Sequence, residues 1–364
     1  MHFTHKASIT LAALTALGMT AAVPASAQSY TFTALDDPAA IGGAASNGSV
    51  FAGTFASGIN DAGQVVGYYF DSAGVHGFQY VSSTGFATID NPAAIFSTGN
   101  GVSGSAAFGI SNTGSVTGTY SDTTNSHGYF YKPGTGYTSF NPPATGPNSS
   151  TIGFGINASG IIVGNYADST SQHAYLYNPN AGGSSPAFTT LADPLATRDT
   201  NAYGINDLGQ VVGDYRSGTS LHSFLYTPAT GSSSASYTSF SDPVGLSTTS
   251  AHGINSAGQI VGFYFNNTGR HGFLAMPGAA GSPLTFTTID NPVAPHGIEL
   301  HGINASGQIV GYYADANNVE HSFLATPVAA AVPEVSGFAS LGLLLMIGAG
   351  GVLAVTRRRR GMAA

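Results

Sequence analysis

The residues best suited to chemistry lie close together late in the chain. His296, Glu299 and His301 fall within six residues, and His252 holds the position equivalent to His301 in the preceding copy of an internal repeat. Imidazole nitrogens with a carboxylate are typical ligands of Zn²⁺ and similar divalent ions. These four are therefore the candidate metal set, and a divalent metal is the only cofactor the sequence raises. The chain has no Gly-x-Ser-x-Gly nucleophile turn, no His-Glu-x-x-His and no phosphate-binding loop. No catalytic residue is assigned. Paired carboxylates for glycoside hydrolysis stay open, because only their separation in space decides that chemistry.

The elements that must position these residues recur. Gly-Ile-Asn, once Gly-Ile-Ser, begins at Gly58, Gly109, Gly155, Gly204, Gly253 and Gly302. A period of roughly 20–50 residues marks an array of units, each too small to bury its own apolar face. Three residues after each Asn or Ser stands a glycine, as expected of a tight turn in which the polar side chain bonds nearby backbone and Gly supplies positive φ. A β-rich run follows with Tyr69, Tyr120, Tyr166, Tyr215, Tyr264 or Tyr313. Then comes a His-(Gly/Ala/Ser)-(Phe/Tyr) strand with His76, His127, His173, His222, His271 or His321. Last is an alternating strand such as Phe286-Thr287-Thr288-Ile289, which stops at Asp290-Asn291-Pro292. Short alternating runs between turn residues predict strands, four per unit.

The sixth unit lacks its fourth strand, and the missing piece stands at the other end of the chain as Tyr30 to Leu35. This offset predicts an all-β fold, a six-bladed β-propeller whose N-terminal strand completes the last blade and leaves no open edge. Fifty glycines in 364 residues suit so many turns, and the absence of cysteine leaves ring closure and packing to hold the fold. The repeated histidines are expected to bond backbone between strands, and the tyrosines to pack between blades with the hydroxyl at an edge. Recurring Asp-Pro and Asn-Pro pairs predict turn starts rather than calcium ligands. The residue before each Gly-Ile breaks the repeat: Ser57, Phe108, Phe154, Tyr203, His252, His301. Equivalent positions of adjacent blades should gather on one face.

The ends are addresses. Lys6 precedes an apolar run, and Ala25-Ser26-Ala27 offers a cleavage site, so residues 1–27 are expected to be a secretory signal peptide cut after Ala27. From Val335 to Val355 no residue is charged, and Arg357, Arg358, Arg359 and Arg360 follow. That length spans a bilayer as a C-terminal transmembrane helix, and the arginines stop transfer on the cytoplasmic side. Residues 28–327 form the repeat domain and 328–364 the tail. Between Asp36 and Glu320 only Lys132, Arg198, Arg216 and Arg270 offset sixteen carboxylates, a formal charge near −12. Such a surface excludes nucleic acid as a partner.

The unit Gly-Ile-Asn-x-x-Gly-x-(Val/Ile)-Val-Gly-x-Tyr, followed by His-(Gly/Ala/Ser)-Phe-Leu, resembles the extracellular HAF repeat; His173-Ala174-Tyr175 comes nearest its His-Ala-Phe triplet. The resemblance covers residues 30 to 327 and implies a secreted β-rich repeat protein without assigned catalytic residues. Pro333-Glu334, the apolar stretch and the arginine cluster together resemble the PEP-CTERM sorting signal, with Val335 where a second proline is usual. That likeness implies two processing partners, signal peptidase and an exosortase-type enzyme cutting near Pro333-Glu334, in an exopolysaccharide-producing Gram-negative bacterium. The expectation is a non-enzymatic binding or structural module, anchored in the inner membrane before processing and at the cell surface or in the biofilm matrix afterwards. An exopolysaccharide or surface ligand is its expected partner, and the alternative is a polysaccharide hydrolase or lyase on the same scaffold.

Overall fold

The computed structural model describes residues 29–40, 53–97, 103–142, 150–168, 171–181, 187–246, 248–278 and 282–328. They belong to one compact unit, Ser29–Val328. The signal segment, Val335–Val355, and the sites Ala27, Pro333, Glu334, Arg357, Arg358, Arg359 and Arg360 lie outside the described residues. Among the described residues no helix is long and apolar enough to cross a membrane.

The fifth repeat shows how the sequence builds a sheet. Its strands Thr249–Ile254, Ile260–Asn266, Gly269–Met276 and Thr285–Ile289 pair antiparallel in chain order. The first turn forms because Gly258 takes φ 78°, its N–H donates to the Asn255 carbonyl at 3.0 Å, and Asn255 Oδ1 accepts from the Gln259 N–H at 3.1 Å. Three further four-stranded sheets are drawn alike, and one eight-stranded sheet arises where Ser126–Lys132 meets Ser150–Ile156 at the single parallel pair Ser126↔Ser150. In the sheet of Ile298–Ile303, Ile309–Ala314 and Glu320–Pro327 the fourth strand is Tyr30–Ala34, in register from Tyr30↔Pro327 to Ala34↔Phe323. The fold is all-β and propeller-like, with the N-terminal strand completing the last sheet as the offset predicts.

Packing runs between neighbouring sheets. Val261, Leu274 and Ile289 of the fifth repeat are buried against Ile298, Leu300 and Phe323 of the sixth. Leu35, Ala56, Val65 and Phe78 pack with Val310, joining first repeat to last. Each of these Val, Leu, Ile and Phe side chains contributes roughly 1.5–3 kcal/mol on full burial. At the centre the first strands approach so closely that only glycine fits. A Cβ on Gly109 would lie 2.3 Å from the Phe154 carbonyl oxygen, and one on Gly204 2.5 Å from that of His252. The Asn side chains of the turns tie successive repeats: Asn206 Nδ2 donates to the Asn255 carbonyl at 3.1 Å, Asn255 to Asn304 at 3.0 Å, and Asn304 back to Asn60 at 3.1 Å.

The repeat histidines differ from expectation in their partners. Five of them bond or pair with a carboxylate rather than with backbone. His76, His271 and His321 meet Asp90, Asp290 and Asp36 at 2.7, 2.9 and 2.8 Å, and His127 and His173 meet Asp122 and Asp168 at 3.0 Å. The backbone is already spent in strand pairing, and the Asp closing the fourth strand, or one in the preceding turn, lies beside the ring. Each of these rings also packs on the tyrosine opposite it, as Tyr264 and His271 do at 5.3 Å. The tyrosine hydroxyls reach the outermost strand, Tyr120 to Ser139 and Tyr264 to Thr288, both at 2.9 Å. In the Asp-Pro and Asn-Pro turns the side-chain oxygen accepts the N–H two residues on, as Asp242 does from Val244 at 2.9 Å.

Candidate functional site

The residue before each Gly-Ile, which breaks the repeat, is the extra residue of a β-bulge. The register of the first two strands slips between Ala56 and Gly58, Ala107 and Gly109, Gly153 and Gly155, Ala202 and Gly204, Ala251 and Gly253, and Leu300 and Gly302. A bulge bends its strand and re-aims one side chain. Here it turns Ser57, Phe108, Phe154, Tyr203, His252 and His301 to the axis, where all six line one cavity of about 460 Å³. That size is ordinary for a small-molecule site.

Aromatic rings close a circuit around this cup. Tyr68 meets Phe108 at 5.6 Å between centroids, Phe108 meets Phe154 at 5.0 Å, and Phe154 meets Tyr203 at 5.1 Å. Tyr203 stacks on His252 at 4.3 Å, His252 touches His301 at 4.4 Å, and His301 stacks on Tyr312 at 4.7 Å. Phe55 joins Tyr312 at 4.9 Å and Tyr68 at 4.7 Å, completing the loop. Tyr68 thus fills the gap left by Ser57. At the far end of the axis Asn112 Nδ2 bridges Asp61 at 2.8 Å and Asp207 at 3.3 Å.

The polar groups gather on one side of the cup. Asp214, only 2% exposed, accepts from Asn201 Nδ2 at 2.8 Å and from Ser250 Oγ at 2.7 Å. Burial pushes its carboxyl up, and the bonds from Ser250 and Asn201 pull against that rise. Glu299 pairs with Arg270, meets His301 Nε2 at 3.1 Å and accepts from the Tyr312 hydroxyl at 2.9 Å. Burial alone would raise its carboxyl; the bond and charge of His301, then Arg270 and His252, outweigh burial and hold it at about 2. His252 contacts Ser250 Oγ at 3.0 Å, and burial, helped by the charge of His301, holds it well below the usual imidazole range. Burial also keeps the Tyr68, Tyr203 and Tyr312 hydroxyls protonated. Arg216 at the rim, 46% exposed, is loosely matched by Asp199 at 3.7 Å.

The structure brings together three of the four candidate metal ligands and separates the fourth. His252, Glu299 and His301 share the cup, whereas His296 lines a different cleft of about 670 Å³ with His271 and Asp290. Among the described residues no group of three His, Asp or Glu side chains could hold a metal ion. Glu299 is engaged by Arg270, His301 and Tyr312, so the trio is an ion-paired, hydrogen-bonded network. Asn201, Asp214 and Tyr312 are cup residues that the sequence reading missed. The signal was present: they stand at positions that vary among the repeats, three residues before the Gly of Gly-Ile for Asn201 and directly after the second-strand Gly for Asp214 and Tyr312.

No family model and no curated protein matches this chain. Similar solved structures include TolB from Acinetobacter baumannii, with 13% identity and a TM-score of 0.43 over 75% of this chain and 54% of that one. The chain thus spans about half the length of that protein. A luciferin-regenerating enzyme has 11% identity and a TM-score of 0.44, covering 83% of this chain and 96% of the other. The PQQ-bound aldose sugar dehydrogenase from Streptomyces coelicolor has 10% identity and a TM-score of 0.45, covering 83% and 99%.

Proposed function

We propose that this chain is an exported, surface-associated or matrix six-bladed β-propeller that binds a polysaccharide or other surface ligand in its axial cup, without turnover. The observation that carries the reading is the closed aromatic circuit with a polar wall whose carboxylates are already matched internally. Such a cup offers ring surface and hydrogen bonds but no poised nucleophile. Six blades are supported by the join in the eight-stranded sheet. It is one parallel pair, of the kind that also links Gly53 with Glu320, Val75 with Gly104 and Leu221 with Thr248 as isolated bridges between neighbouring sheets.

Residues 1–27 direct export, and the tail 328–364 spans the inner membrane until an exosortase-type enzyme cuts near Pro333-Glu334. The four arginines cost several kcal/mol each to bury in the bilayer core, so they arrest transfer. Mass spectrometry of the exported protein tests this. A form running from Gln28 to about residue 333 supports sorting, and an intact Arg357–Arg360 tail in the membrane fraction makes the segment a plain anchor.

Screening residues 28–327 against the host's own exopolysaccharides tests the cup. Saturable retention without product, weakened in Tyr203→Ala, is expected. One observation favours a second reading, a hydrolase or lyase: Asp214 and Glu299 line the same cup with their pKa values driven apart, the pattern of an acid beside an ionised partner. Chain shortening that disappears in Asp214→Asn would replace the binding reading with that one.

A further inference from the structure

The residue before each repeat histidine is uncharged in the first four repeats, Val75, Ser126, Gln172 and Leu221, and charged in the last two, Arg270 and Glu320. Both charged residues line the cleft of about 670 Å³ that also holds His296. Arg270 uses Nη1 on Glu299, which leaves Nε, a donor, buried without a partner. Glu320 Oε2, an acceptor when ionised, is likewise buried and unpartnered. Orphaned buried polar atoms are rare and cost about 1–3 kcal/mol each, more when charged. Burial pushes the Glu320 carboxyl up, with Arg270 pulling it down. A donor and an acceptor thus stand open on residues that line one cleft.

The rest of the cleft supplies what those two atoms lack. Phe265 is 43% exposed there, and Phe263 braces it edge-on at 5.9 Å. His296 also lines the cleft, beside the His271–Asp290 pair held at 2.9 Å. The turn carrying His296 sits directly on the Arg270 strand: Gly297 takes φ 76°, and a Cβ there would lie 1.8 Å from the Arg270 carbonyl oxygen. A flat ring face attracts polarised C–H groups through its negative quadrupole. A hydroxyl accepts one hydrogen bond and donates another, so it can answer both an N–H and a carboxylate oxygen. Glu320 and Asp290 disfavour an anion, and the guanidinium of Arg270 in the same lining disfavours a cation.

We propose that this cleft is a second ligand site, separate from the axial cup, for an uncharged hydroxyl-rich ring: a hexose unit of a neutral glycan lying on Phe265, with hydroxyls turned to Arg270 Nε and Glu320 Oε2. The two side chains shift to admit it, since both atoms are enclosed without a ligand.

Calorimetric titration of the full chain in a non-glycoside detergent tests the site, with maltohexaose, cellohexaose and mannohexaose as probes. At least one of the three should bind saturably. Phe265→Ala removes the platform and Thr268→Trp fills the cleft mouth from an exposed turn; each should weaken that binding at least about tenfold. Arg216→Ala, at the rim of the cup, should leave it within about twofold. Absence of binding by all three glycans, indifference to either cleft substitution, or a loss in Arg216→Ala alone overturns the assignment. A cup that fails the exopolysaccharide screen leaves this result unaffected, because the variants read different cavities.

Discussion

Alanine at the glycine of each Gly-Ile pair measures how tightly the first strands are drawn together. The distances from a built Cβ to the nearest atom of the neighbouring repeat rank the sites: 2.3 Å at Gly109, 2.5 Å at Gly204, 2.7 Å at Gly58 and Gly253, and 2.8 Å at Gly155. At Gly302 the nearest atom is the tip of Val310 at 3.0 Å, with the Ile59 nitrogen at 3.1 Å. At Gly109 the obstacle is a backbone carbonyl, so relief requires the two strands to part by about 1 Å. Overpacking of that kind costs about 1–3 kcal/mol, occasionally more, and the lower chain entropy of unfolded Ala returns about 0.4–1 kcal/mol. The expected net loss is about 2 kcal/mol for Gly109→Ala and under about 1 kcal/mol for Gly302→Ala. At about 2–4 °C per kcal/mol for a domain of this order of size, the melting temperature should fall by about 4–8 °C in the first case. Scanning calorimetry on the six variants reads the order directly. A loss in Gly302→Ala equal to or larger than that in Gly109→Ala would refute the close-approach account, and so would six equal losses.

Three further outcomes are expected. Because His252 is held neutral in the folded chain while its unfolded pKa lies near 6.5, the unfolded state takes up the extra proton below that pH. Stability should therefore fall as pH drops from 6.5 toward 5, by at most about 1.4 kcal/mol per unit from this residue, and urea melts of His252→Phe should show the shallower slope. Ser111 is the one turn residue of its kind that is not Asn; Ser111→Asn should add the missing inter-repeat bond to the Asn157 carbonyl and raise stability by about 0.5–1.5 kcal/mol, read from the urea midpoint. Deleting Tyr30 to Leu35 strips the fourth strand from the last sheet, exposing an unpaired edge that should aggregate in light scattering; a clean monomer with an unchanged melting temperature would count against closure by this strand.

The repeat made the architecture legible because the same spacing recurs through strands, turns and glycines. Period-2 alternation gave the strands, Asn-x-x-Gly gave the turns, and a strand missing at one end and present at the other gave the closure. The site was legible only as a position. Ser57, Phe108, Phe154, Tyr203, His252 and His301 stood out because they differ where the rest agrees, and their bulges bring them to one cup. What those side chains do there depends on partners from the second and third strands, which linear spacing does not reveal. Tyr68 fills the place of Ser57, and Arg270 reaches Glu299 from 29 residues away. The grouping of His296 with Glu299 and His301 fails for a local reason. His296 lies in the turn before the strand Ile298–Ile303, whereas Glu299 and His301, two residues apart in that strand, share a face.

Across the described residues, scaffold positions and variable positions separate. Histidines required in all six repeats mostly meet aspartates and stack on tyrosines, so their chemistry is consumed in holding each sheet together. Positions free to vary sit where the sheets no longer constrain them: the bulge beside each central glycine and the residue before each histidine. In the first place they assemble the aromatic cup; in the second they put Arg270 and Glu320, alone among six, at one cleft. Because Arg270 pairs with Glu299, the wall of the cup and the floor of the cleft share one ion pair. Its removal in Glu299→Gln would withdraw the countercharge of Arg270 and leave His301 only a neutral amide as its hydrogen-bond partner.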